Sequence, residues 1–182
     1  MKRALLASVL LVLSCKQQPS NRNHARSEAV SSTSQEMSGP SLLSPGLLKP
    51  AFAALRAKAD DRWLRVEIRP REIVLQAEDP NNPGAVLEYH YRDGKVGDAE
   101  HATLRGKGQL ADNLFDASEV KLETIPALVR EAVRRVDPEH GSVDLVLVRR
   151  NLPESSDIRL RVYVSSPRWS GHLEADRNGQ PL

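Results

Sequence analysis

Two pairs of side chains in this 182-residue chain are spaced to move a proton. Glu88 and His90 stand two residues apart in Glu88-Tyr89-His90-Tyr91, and His172 and Glu174 repeat that spacing near the C-terminus. In a strand, residues i and i+2 share a face. Each pair would thus set a carboxylate beside an imidazole, the minimum for general acid–base catalysis. The repetition argues against it: a pair that recurs reads as a solvated polar face better than as one active centre. Other chemistries lack their residues. The sequence has no GxSxG elbow, no GxxxxGK[ST] loop, no HExxH and no EF-hand loop. Its single cysteine, Cys15, leaves none for thiol catalysis in the body of the chain, and His90, His101, His140 and His172 are scattered without metal-ligand spacing. The reading is a non-enzyme with no metal and no cofactor.

Two loops are rich in oxygen donors. Glu78-Asp79-Pro80-Asn81-Asn82-Pro83-Gly84 clusters carboxylates and amides, and Asp176-Arg177-Asn178-Gly179 begins like a calcium loop. The first has no regular ligand spacing and the second no downstream Glu, so both read as turns.

A different surface chemistry comes from arginine. Arg65, Arg69, Arg159 and Arg161 alternate with apolar residues, with Tyr163 and Trp169 close by in sequence. Arginine and aromatic side chains are what protein interfaces favour. These six residues are the candidate binding set, against the alternative of a solvated ladder. Trp63 and Trp169 also read as anchors of strand ends in the core.

The elements that must position these groups follow from periodicity. Trp63–Arg69, Ile73–Ala77, Ala85–Tyr91, Val143–Arg149, Ile158–Val164 and Ser170–Asp176 read as strands, several alternating with period two. That pattern suits an antiparallel sheet with one face covered. Ile125, Leu128, Val129, Ala132, Val133 and Val136 share a helical face, and Phe52, Leu55 and Ala59 form a weaker one. Both helices are expected to open on Pro-Ala, at Pro50-Ala51 and Pro126-Ala127, and both third strands to end at Asp93-Gly94 or Asn178-Gly179 turns. His101–Leu104 and Leu114–Ala117 read as short extended pieces. The predicted fold class is α+β: two tandem units, each a helix with three or four antiparallel strands, helices on one sheet face. The units, 45–104 and 105–182, would form two sheets or one.

That element order resembles PepSY-type domains and the bacterial β-lactamase-inhibitory protein. Val74–Val96 and Val162–Gly179 also resemble segments of uncharacterised bacterial proteins of this layout. The missing catalytic motifs and the Arg/aromatic face point to a non-catalytic module that binds a protein or ligand; the resemblance implies the alternative, an inhibitor or chaperone of a secreted hydrolase.

Location is read from the N-terminus. Lys2-Arg3, the apolar run Ala4–Leu13 and Ser14-Cys15 have the parts of an export signal. The run is far short of the roughly 20 residues that span a bilayer. Val12-Leu13-Ser14-Cys15 resembles the lipobox of bacterial lipoproteins, which implies cleavage between Ser14 and Cys15 and acylation of Cys15. Residues 1–14 are then a signal peptide, and 15–44 a lipidated cysteine and Ser-rich disordered tether. In lipoproteins of that kind Asp after the cysteine favours inner-membrane retention, so with Lys16 there the resemblance implies the outer membrane. Lys2 and Arg3 account for the whole formal surplus of +2, so the remainder is neutral and carries no case for nucleic-acid binding. The expected partners are a membrane, through the lipid, and an envelope or secreted protein.

Overall fold

A computed structural model describes residues 40–105 and 108–182. The signal peptide, Ser14 and Cys15 lie outside the described residues, as does the tether up to residue 39.

Helix α1 (Pro45–Arg56) carries Pro45 in its first turn, where the missing N–H costs nothing. Pro50, expected to open the helix, falls inside it. Leu48, Ala51, Phe52 and Leu55 form its buried face. Leu42 and Leu43, read above as the end of the tether, are buried too, and the Leu42 N–H donates to the Pro70 carbonyl at 2.8 Å.

A meander follows: β1 (Arg62–Arg69), β2 (Glu72–Glu78) and β3 (Val86–Arg92), then the two-residue strands β4 (Lys95–Val96) and β5 (Glu100–His101). Asp93 at φ 50° and Gly94 at φ 79° turn β3 into β4, the positive pair that a two-residue hairpin demands. Helix α2 (Leu110–Asn113), β6 (Phe115–Asp116) and two 3₁₀ turns, Ala117–Glu119 and Leu122–Thr124, lead into α3 (Ile125–Val136). A second meander ends the chain: β7 (Ser142–Arg150), β8 (Ile158–Ser165) and β9 (Ser170–Asp176).

The expectation of two tandem helix-plus-sheet units is corrected here. β1 pairs antiparallel with β7, Val66 opposite Val148 and Ile68 opposite Val146. Both meanders thereby join one nine-stranded antiparallel sheet, in the order β4-β3-β2-β1-β7-β8-β9, with β5 beside β3 and β6 beside β1. The physical reason is twofold. In separate units β1 and β7 would each expose a row of unpaired backbone donors and acceptors. And β7 is apolar without interruption over Leu145–Val148, the composition of a central strand rather than an edge.

Helix α1 packs on β3 and β4, and α3 packs on β7, β8 and β9; both touch the 3₁₀ turn Leu122–Thr124. Beneath them Val66, Ile68, Leu75, Val148, Leu160 and Val162 share one hydrophobic core. Trp63 is its largest member: fully buried, stacked on Phe52 at 5.9 Å, edge-on to Phe115 at 6.5 Å, with its Nε1–H donating to the Asp60 carbonyl at 2.9 Å. With alternate residues turned inward, the intervening ones face outward and make a broad polar surface.

Candidate functional site

The register gathers that surface across the whole sheet. His90, Val74, Glu67, Leu147, Arg161 and Glu174 stand opposite one another in a single row from β3 to β9. On either side lie Arg65 opposite Gln76, Arg69 opposite Glu72, and Tyr163 opposite both Leu145 and His172. Arg159 stands between Arg149 and Asp176. Arg65, Arg69, Arg159, Arg161 and Tyr163 thus share one face, although they come from both halves of the sequence. Trp169 lies in the β8–β9 turn. Its N–H donates to Ser166 Oγ at 3.0 Å and its carbonyl accepts from the Ser166 N–H at 2.7 Å, while the side chain is exposed at 65%. The core-anchor reading therefore holds for Trp63 and fails for Trp169.

Carboxylates hold most of these cations. Glu67 pairs with Arg65 on one side and with Arg69 at 2.6 Å on the other. Arg161 Nε donates to Glu174 Oε1 at 2.7 Å, and its Nη1 to the Tyr163 hydroxyl at 3.3 Å. The Tyr163 and His172 rings lie 5.9 Å apart. Arg159 reaches Asp157 at 3.3 Å. Two features break the balance. Arg65 Nε is buried without a hydrogen-bond partner among the described residues. Arg149, which the sequence reading passed over, is exposed and directly opposite Arg159. Like charges placed so oppose sheet pairing. Its signal was the alternation Leu145, Leu147, Arg149 on the outward side of β7.

The acid–base pairs resolve differently. His90 Nδ1 lies 2.6 Å from Glu72 Oε1, and Nε2 lies 3.0 Å from Glu88 Oε1. Arg92 Nε donates to the same Glu72 oxygen at 2.8 Å, and Gln76 Nε2 donates to Glu88 at 2.7 Å. An imidazole between two carboxylates can donate from both nitrogens only as an imidazolium, and in that form it has no lone pair for a base's work. The hydrogen bond to Glu72 raises the His90 pKa; burial opposes it, and Glu88 adds to it. Burial works to raise the Glu72 pKa, but the hydrogen bonds from His90 and Arg92 together outweigh it and hold that carboxyl below its usual range. Glu72 was not singled out from the sequence, because only the β2–β3 register brings it to His90. The second pair is looser: His172 Nε2 is 3.8 Å from a Glu174 oxygen already engaged by Arg161. β3 and β9 are five strand spacings apart in the sheet, about 24 Å, so the two pairs do not form one centre.

The oxygen-rich loops spend their donors on their own backbone. Asp79 accepts the Asn81 N–H at 2.9 Å, and Glu78 accepts the Gly84 N–H at 3.3 Å and pairs with Arg62 at 3.0 Å. Asp176 Oδ1 accepts the N–H groups of Gln180 and Asn178, each at 2.9 Å, and the Gln180 bond leads in lowering its pKa. Among the described residues no group of three His, Cys, Asp or Glu converges as a metal site, and no helix is long and apolar enough to cross a membrane. Comparison of the chain with protein-family models, with curated proteins and with solved structures gives no match.

Proposed function

We propose that this chain is a lipoprotein of the bacterial cell envelope, anchored through Cys15 in the outer membrane, that binds a protein partner through the open face of its sheet. The observation that carries the reading is the face itself: one sheet holds Arg65, Arg69, Arg149, Arg159, Arg161 and Tyr163 on the side away from α1 and α3. Guanidiniums already oriented by Glu67, Glu174 and Asp157 lose little freedom when a partner arrives. Arg149 is exposed beside them, and Trp169 offers an exposed aromatic at the margin of β8 and β9. Export and anchoring rest on Lys2-Arg3, the apolar run Ala4–Leu13 and the Ser14-Cys15 junction.

Site-specific photo-crosslinking in cells tests the face. A photoreactive residue at Arg159, Tyr163 or Trp169 should give one discrete adduct, and the same residue at Arg134 on α3 should not. Equal labelling from both sides, or none, would refute it. A secreted hydrolase in the adduct would make the module its inhibitor or chaperone. Metabolic lipid labelling tests the anchor: label should enter the wild type and be lost in Cys15→Ala, with the wild type in the membrane fraction.

A further inference from the structure

The opposite side of the sheet carries a second feature, independent of the arginine face. Helices α1 and α3 each pack on their own strands, and both touch the turn Leu122–Thr124. A groove of about 810 Å³ runs beside them, within the size range of small-molecule sites. Its floor is Leu48, Phe52 and Val120, themselves nearly buried, and its accessible apolar walls are Pro45, Leu122 and the small Ala53 and Ala127, which leave the space unfilled. Its rim is cationic. Lys49, Arg56 and Arg130 line it, against Glu123 as its one carboxylate. Arg56 is partly engaged, by Asp61 at 3.5 Å and over the Trp63 ring at 5.4 Å. Lys49 and Arg130 are exposed, with no ion-pair partner among the described residues.

An apolar trough with a cationic border complements one kind of molecule: an apolar chain ending in an anion. We infer that this groove binds a long-chain anionic amphiphile, its methylenes against Ala53, Leu122 and Ala127 above the floor of Leu48 and Phe52 and its carboxylate met by Lys49 and Arg130. Twelve residues of α1 span about 18 Å, enough to lay an extended acyl chain along the helix. An acidic helix from a partner, about 10 Å across with its side chains, would fill about 1,400 Å³ over the same length, more than the groove holds.

Titration calorimetry of the full chain carrying Cys15→Ala, which has no acyl group of its own, tests this with decanoate, dodecanoate and tetradecanoate below their micellar concentrations. The groove predicts saturable one-to-one binding that tightens about two- to fourfold per methylene, fourfold being the limit for complete burial. Lys49→Glu with Arg130→Glu should weaken dodecanoate at least tenfold, and Ala127→Trp should abolish binding, both with an unchanged circular-dichroism spectrum. If charge reversal unfolds the protein, Lys49→Gln with Arg130→Gln should still weaken dodecanoate while leaving dodecanol unaffected. Binding without chain-length dependence, or equal binding of dodecyltrimethylammonium, would overturn the inference. So would sedimentation showing a dimer that Ala127→Trp dissociates, because the occupant would then be a second copy of the chain.

Discussion

Replacing His90 with Gln keeps a hydrogen-bond donor between Glu72 and Glu88 but removes the titrating charge. The imidazole sits 2.6 Å and 3.0 Å from the two carboxylates, with its side chain 31% exposed. Solvent at that exposure screens each contact to about 0.5–1 kcal/mol, so the pair contributes about 1–2 kcal/mol when both partners are charged. The folded-state pKa of His90 is raised above 6.5. Its contribution is therefore complete below 6.5 and disappears as pH rises through the folded value. Glu72 is lowered below 4.5, so its share is present above 4.5 and lost as pH falls through its own folded value. Both act together between those two limits. Urea unfolding of wild type and His90→Gln should then differ by about 1–2 kcal/mol near pH 5.5 and converge as pH rises through the folded His90 value, the gap shrinking with added salt. A difference that is flat across this range, or that widens with pH, would refute the imidazolium clamp.

Gly179→Ala and Gly94→Ala separate two costs of substitution. Both glycines have positive φ, but a Cβ at Gly94 meets nothing within 4 Å, while one at Gly179 falls on the Thr124 side chain. Gly94→Ala should cost about 1–2 kcal/mol for the backbone alone, and Gly179→Ala about 1–3 kcal/mol more for the clash, both read from denaturant midpoints. Arg150→Met should cost about 1–3 kcal/mol: Arg150 donates to the Leu114 carbonyl at 2.8 Å and the Ser156 carbonyl at 2.6 Å. Faster amide exchange around β6 would report the lost tie.

The individual strands were legible because Leu64-to-Arg69 and Ile158-to-Ser165 alternate, and alternation is a local property of the chain. The joining of β1 to β7 is not local. One trace of it lies in Leu145–Val148, where apolar residues occupy both faces, but the partner of a central strand cannot be read from the strand itself. The matching Pro-Ala dipeptides misled for a related reason. Pro126 does sit in the first turn of α3, whereas Pro45, five residues before Pro50, holds that place in α1. Arginines at outward positions of β1 and β8 were visible as a set. Arg149 and Glu72 were not, because their importance comes from the residues opposite them, Arg159 and, through Arg69 and Arg92, the ends of two other strands.

The β1–β7 seam also bears on the order in which this protein folds. Every other long pairing joins strands adjacent in sequence through a short turn, so each meander closes quickly. Val66 and Val148 pair across a long stretch of chain, and such distant pairings slow folding. Until they pair, the edge of β1 and the edge of β7 are complementary and open. Two chains caught at that stage carry the same complementary edges, so the first meander of one can accept the second meander of the other. The seam that makes a single sheet is thus also the line along which two copies can exchange halves.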